Sequence, residues 1–492
     1  MGSSSKGILW LFFSKFFPPL INFSVFAYTA RILAPEDFGL VALALAIVFI
    51  VSSFMPAGWR DAIIKYQIED TLTISSIFWL NLAASLFLSA IIVAFSLLSF
   101  FEFQSQTFNL AITILCLKLI FDGLFYTLNI VLLKQQLYSL IALRTICSAV
   151  ISAIIIIVLL LLDFGVWALI WAQAVLSIAN FLAVYLPTRK LVNFQFSLAS
   201  IVKLNSFAIY STLTNGVTSA LNHYESVIIG GVLGKRELGF YNVAQRLSNI
   251  INDIFIGTMN EISFPILAKK QEDLIEFRKA FMNSVYLSVL CLFPLFTFCF
   301  ISSEKIFLML FTEKWLNAAL VFQVFCVIFI FIILGIPQKN IIVLSNHAKW
   351  WFKLQVKVSL VIVPLTAASA YWGLNVLLIT LIFGKCLYCS LSMWKSCQLL
   401  SLDIKEYVGS FIFPLVCSIT SGIITWALML FIPPSNLVLI DIIVSASIFF
   451  ITYLVQLFLF DKERIVNIGL ILLPKNHHLI RLAKKLNIQD IQ

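Results

Sequence analysis

Charge is scarce in this sequence: Asp, Glu, Lys and Arg make up 11% of its 492 residues, while 61% are hydrophobic. A chain with so little polar surface cannot enclose its apolar residues in a water-soluble globule, so lipid must be its solvent. Nucleotide-binding loops of the form GxxxxGK[ST] are missing, as is HExxH, and no soluble domain is left over to host either. Transport driven by ATP within this chain is therefore not expected, and no catalytic residue, metal ligand or cofactor is assigned. Paired cysteines are missing too. The nine cysteines, at 116, 147, 291, 299, 326, 386, 389, 397 and 417, are odd in number and lie in or beside apolar runs, so no disulfide framework is expected. Cys386 and Cys389 spell CxxC, but no second Cys or His pair stands nearby, and packing is their expected role.

What the sequence has is long apolar runs. A bilayer core of roughly 30 Å takes about 20 helical residues, and Ile77 to Phe101 or Ile442 to Phe460 approach or exceed that without internal charge. Their continuity excludes a membrane barrel, whose strands of roughly ten residues alternate in polarity. The first run, Ile8 to Leu33, is too long for a signal-peptide core and carries Lys15, so it reads as a retained span. The fold class expected is an all-α integral membrane bundle of about 14 helices, near 8–33, 38–57, 76–101, 109–133, 141–162, 165–186, 204–233, 239–264, 280–302, 318–343, 354–372, 374–398, 408–431 and 437–460. With both termini cytoplasmic, about 23 of the 33 Lys and Arg fall inside, about five outside and about five within spans. The net charge of +10 thus reports topology, with attraction to anionic membrane lipids second, and needs no nucleic acid. Beyond Phe460 a cytoplasmic tail, 461–492, mixes apolar and basic residues; its segment 479–486 reads equally as a surface-lying helix or a solvated tail.

An internal repeat recurs at an offset of 200. Residues 31–39 (RILAPEDFG) align with 231–239 (GVLGKRELG), and slightly further on 62–70 match 265–273. Six spans separate the copies, so the halves share an orientation and an axis along the membrane normal. This implies two six-helix lobes, 1–200 and 201–400, with two extra spans in 401–460, and a cavity is expected at the lobe interface.

Polar residues inside spans map that cavity, because lipid-facing charge is costly. On the eighth span Asn242, Arg246, Asn249, Asp253 and Asn260 recur at helical spacing on one face. On the seventh, Ser211, Thr214, Thr218, Asn222 and Glu225 do so, and the first offers Lys15, Asn22 and Thr29. Structural alternatives stand beside several. Arg246 and Asp253 could simply neutralise each other, as Lys118 and Asp122 should at i and i+4. Lys15 and Lys339 could snorkel to an interface, whereas Lys385 lies deeper. Arg31 fits a helix C-cap as well as a site, and His223 fits a packed ring or a proton carrier.

The segments 30–39 (ARILAPEDFG), 239–247 (GFYNVAQRL), 264–273 (FPILAKKQED) and 310–315 (LFTEKW) resemble the Wzx-like lipid-linked oligosaccharide flippases, the polysaccharide exporter branch of the multidrug/oligosaccharidyl-lipid/polysaccharide superfamily and its colanic-acid and lipopolysaccharide exporters in particular. The likeness covers nearly the whole chain. One departure is Ala34 where that family has Gly; Gly234 is kept in the other half. The resemblance implies a MATE-like fold, with the first and seventh spans lining a central cleft. It also implies a bacterial inner-membrane flippase, acting with polysaccharide polymerase and chain-length machinery. The substrate would be an undecaprenyl-diphosphate-linked oligosaccharide moved from the cytoplasmic to the periplasmic leaflet. Substrate-binding candidates are then Lys15, Asn22, Arg31, Thr218, Asn222, Glu225, Asn242, Arg246, Asn249 and Asp253. Arg246 and Lys15 suit the diphosphate, and the Asn and Thr residues suit sugar hydroxyls. An ion-coupled drug exporter of the same fold is the alternative; it would favour a more acidic cleft. A glycosyltransferase or polymerase would show a large outer loop, and every outer loop here is short.

Overall fold

The computed structural model describes residues 2–97, 105–135, 137–433, 435 and 437–460, so the tail 461–492 and its segment 479–486 lie outside the described residues. Every regular element among the described residues is helical. Contacts divide the chain into two compact units, before and after Asn242.

The first unit holds α1 (Gly2–Ile32), α2 (Pro35–Ser52), α3 (Ala57–Lys65), α4 (Thr71–Leu97), α5 (Gln106–Lys134), α6 (Tyr138–Leu161), α7 (Val166–Thr188), α8 (Leu198–Val202), α9 (Asn205–Ile228) and the first two turns of α10 (Lys235–Ile251). Here α5 packs on α4 and α7, α6 on α1 and α7, and α9 on α2 and α3. Phe78, Leu124, Leu128 and Val184 form one apolar knot of α4, α5 and α7. The second unit holds the rest of α10, α11 (Gly257–Lys269), α12 (Leu274–Ile301), α13 (Ser303–Leu310), α14 (Leu316–Leu344), α15 (Ala348–Ala370), α16 (Leu374–Leu400), α17 (Ile404–Met429) and α18 (Val438–Phe460). Its centre includes a polar node. Fully buried Gln338 on α14 donates to the Tyr407 hydroxyl on α17 (2.9 Å), accepts from Ser392 on α16, and points its amide at Cys389 Sγ, 3.9 Å away. Cys389 of the CxxC is thereby a packed side chain, and three helices share one hydrogen-bonded joint.

Eleven of the described helices are long and apolar enough to cross a membrane, where the sequence suggested about 14 spans. Of the regions read as spans, α9 and the α10–α11 region fall outside that set, and both carry polar stripes: each Asn, Thr or Arg lowers the mean hydropathy that defines a span. The side chains of the first half of α1 lie outside the described residues. A second difference is α3, a short helix where the sequence suggested only a loop.

The repeat has a physical counterpart. A Cβ on Gly39 would lie 1.7 Å from the Lys235 carbonyl oxygen, and one on Gly239 would lie 1.9 Å from that of Pro35. Positions 35 and 235, and 39 and 239, are equivalents in the repeat, so the starts of α2 and α10 cross in a reciprocal, two-fold pattern that only glycine admits. Glu36 and Arg236, also equivalents, pair across the same crossing at 3.6 Å, both more than half exposed. Ala34 fits its half because it sits extended (φ −81°) as the N-cap of α2, its N–H bound by Asp37 Oδ2 at 3.1 Å. Its partner Gly234 is at φ +91°, where a side chain would be strained.

Candidate functional site

In the first unit the polar face of α9 meets α3. Gly58 packs so tightly on α9 that a Cβ would lie 1.8 Å from the Ala208 carbonyl oxygen, and its N–H donates to Thr212 Oγ1 at 2.9 Å. That closeness brings Asp61 Oδ2 within 2.6 Å of the Ser211 hydroxyl and 3.4 Å of Asn215 Nδ2. The neighbouring Arg60 lies over the Tyr126 ring of α5, 4.9 Å from its centroid. On α6, Arg144 donates to Asn129 Oδ1 (2.8 Å) and Thr145 Oγ1 (3.0 Å) and stacks over Phe125. The Nε groups of both arginines are buried without a hydrogen-bond partner. Burial lowers the Arg60 pKa from its usual value, yet guanidinium stays charged at neutral pH. Two cations with unused donors beside an aromatic ring suit an anionic ligand with oxygen acceptors.

Further along α9, Thr214, Asn215 and Thr218 are exposed and Asn222 is too. Thr214 and Thr218 bond their own helix backbone, at 2.8 and 2.9 Å, which leaves the Asn amides as the outward recognition groups. Amides bared to hydrocarbon are disfavoured, so this face belongs to wet space. Glu225 accepts a hydrogen bond from the fully buried Tyr241 hydroxyl, tying α9 to the start of α10. His223 stacks on Phe49 with centroids 5.0 Å apart, the packed alternative.

The other predicted residues are spread over α1 and α10. Asn22 is exposed on α1, and Arg31 is exposed in its last turn; the Lys15 side chain lies outside the described residues. On α10, Asn242 and Arg246 are half-buried, Asn249 is exposed, and exposed Asp253 accepts from Asn252 Nδ2 at 3.3 Å. Residues 252–256 form a π-turn, which inserts an extra residue and rotates the helix beyond it. Asn260 therefore leaves the stripe, and its Oδ1 accepts from Asn340 Nδ2 of α14 at 3.1 Å. Lys118 and Asp122 pair at 2.8 Å, as their spacing predicts, with Ser177 Oγ 3.3 Å from the ammonium.

The family of polysaccharide biosynthesis proteins matches residues 29–320, more than half of the chain and every element just described from the end of α1 to the start of α14. The chain belongs to that family. The succinoglycan biosynthesis transport protein ExoT of Rhizobium meliloti (strain 1021) is 27% identical over 322 residues, 64% of either chain, so the match spans just under two-thirds of that relative. The lipopolysaccharide biosynthesis protein WzxC of Escherichia coli (strain K12) is 23% identical over 68% of each. Among solved structures, the lipid II flippase MurJ in an inward closed conformation aligns with TM-score 0.71 at 13% identity, over 93% of this chain and 99% of its own. A MATE transporter of the MOP superfamily, inward-facing, aligns with TM-score 0.59 at 14% identity, over 81% and 99%. The fold of this polysaccharide biosynthesis protein is thus the MATE-like multi-pass bundle, and the relatives and neighbours named for an activity are transporters or flippases, not enzymes.

Sequence reading missed Arg60, Asp61, Tyr126, Asn129 and Arg144. The arginines sit near span ends, where basic residues are ordinary topology markers, and only the fold brings residues 60, 126 and 144 together. The one available signal was the 4, 4, 3 spacing of Lys118, Asp122, Tyr126 and Asn129 on α5.

Proposed function

We propose that this membrane protein flips an undecaprenyl-diphosphate-linked oligosaccharide from the cytoplasmic to the periplasmic leaflet of a bacterial inner membrane, by alternating access of lobes 1–200 and 201–400, with both termini cytoplasmic. The observation that carries the reading is the concentration of outward amides on α9 and α10, helices too polar to count as ordinary spans. Sugar hydroxyls need the Asn-bearing faces of α9 and α10, and the diphosphate needs fixed cations. Arg246, with Lys15, is assigned to the diphosphate; Asn22, Thr218, Asn222, Asn242 and Asn249 are assigned to the glycan. Arg31, Glu225 and Asp253 complete the lining. No bond is made or broken, so turnover comes from the substrate's differential affinity for two conformations. Polymerase and chain-length partners would take the product at the outer leaflet.

The test is export by Arg246 variants at matched membrane abundance. Arg246→Ala should nearly abolish export, and Arg246→Lys should leave part of it, since lysine keeps the charge but loses the fork. If Arg246 merely offsets Asp253, the double substitution Arg246→Ala with Asp253→Ala restores export, because no lone charge is left behind. A folded but inactive double variant supports phosphate binding; full recovery refutes it.

A further inference from the structure

The second unit contains a cavity of about 680 Å³ that the flipping reading does not use, between α12, α13, α14, α17 and α18. Much of its lining is apolar, Phe300, Ile301 and Ile419 included, and glycine at 422 lets α17 close on α12: a Cβ there would lie 2.6 Å from Ile301 Cδ1. The helix ends place its mouth at one end of the unit. There α12 and α17 finish, at Ile301 and Met429, and α18 begins at Val438, so the mouth sits at the level of a bilayer interface. Ile423, Trp426 and Leu430 on its rim are 60, 60 and 67% exposed on a helix apolar enough to span, which makes the opening face lipid. A tryptophan at that level is the usual headgroup-depth anchor.

The mouth is charged in both senses. Lys305 lines it with its side chain 36% exposed, and its ammonium lies 3.9 Å from Asp441 Oδ2, beyond hydrogen-bond reach. Asp441 is held in place by the Ser435 N–H, which donates to its Oδ1 at 3.0 Å. Glu304, beside Lys305 on α13, is exposed at the same mouth. One cation and one carboxylate, Lys305 and Glu304, thus line the mouth, with buried Asp441 behind Lys305. A headgroup with negative charge alone answers Lys305 but is repelled by Glu304, and an uncharged one answers neither. A headgroup carrying a phosphate and a primary ammonium answers both signs, and the apolar part of the lining accepts its acyl chain.

We propose that this crevice is a site for one bilayer aminophospholipid of the phosphatidylethanolamine class, its phosphate on Lys305, its ammonium on Glu304, and a chain against Gly422 and Trp426. The whole purified chain, stripped of lipid in detergent, is offered phosphatidylethanolamine, phosphatidylglycerol or phosphatidylcholine, and retained lipid is read by native mass spectrometry. One phosphatidylethanolamine per chain should be retained, in preference to phosphatidylglycerol, and in preference to phosphatidylcholine, whose quaternary ammonium has no N–H to donate. Lys305→Ala should weaken retention about tenfold, as expected for one charge-assisted hydrogen bond. Glu304→Gln should erase the preference over phosphatidylcholine. Both side chains are solvent-accessible, so these variants fold; Gly422→Leu, which fills the crevice, should also expel the lipid. Equal or better retention of phosphatidylglycerol, or retention indifferent to Lys305→Ala, overturns the proposal. So does displacement of the phospholipid by a lipid-linked glycan, which would give the crevice to the transported substrate.

Discussion

Gly39 and Gly239 show how a single residue type lets two helices cross backbone against backbone. Each faces a backbone carbonyl, which cannot rotate away as a side chain can, so any added carbon must push the helices apart. Gly39→Leu should therefore cost about 1–3 kcal/mol, with a lower melting temperature and lower membrane abundance, whereas Gly231→Ala, with nothing within 4 Å of the new carbon, should stay within about 0.5 kcal/mol of the wild type. Wild-type stability of Gly39→Leu would mean that the crossing is loose. The turn before it makes a matched prediction: Gly234→Ala should cost about 1–3 kcal/mol through its φ of +91°, and Ala34→Gly well under that, both read by thermal unfolding. The alignment of 31–39 with 231–239 was legible in the sequence, because the glycines keep register. The contact it encodes was not, since a carbonyl partner leaves no mark on side-chain identity. Arg60 and Arg144 were hidden for another reason: basic residues at span ends are expected from topology alone, and only folding reveals Nε groups left unbonded.

Helices here are joined by sparse polar contacts set in apolar seams. Lys118, Asp122 and Ser177 bind α5 to α7 inside the first unit, and the pair was legible from its i, i+4 spacing. Lys118→Leu alone should strand the Asp122 carboxylate and cost about 3–5 kcal/mol, while Lys118→Leu with Asp122→Leu should recover most of it. A double-mutant cycle on melting temperature checks this; two small, additive effects would show that the pair is not structural. The α10–α11 stripe was legible only in part. Periodicity assumes an unbroken α-helix, and the π-turn at 252–256 shifts the register, so that Asn260 reaches Asn340 of α14. The same polarity that singles out α9 and α10 keeps them below the hydropathy of an ordinary span.

For the molecule as a whole, alternating access requires that some contacts be made to part. The crossing of α2 and α10 has the right character: backbone against backbone, no interlocked side chains, and one exposed ion pair worth little in water. In a cysteine-free background, a disulfide between Glu36→Cys and Arg236→Cys should stop export and reduction should restore it; export unaffected by a complete cross-link would show that the crossing stays closed throughout turnover. The family and fold leave the cargo and its direction as the central claim. That claim is tested most directly by deleting the gene and measuring which leaflet holds undecaprenyl-diphosphate-linked oligosaccharide, with the wild-type gene or Arg246→Ala returned. The account predicts build-up in the cytoplasmic leaflet, cleared by wild type and not by Arg246→Ala. Normal delivery of every lipid-linked glycan to the periplasmic leaflet in the deletion strain would contradict it.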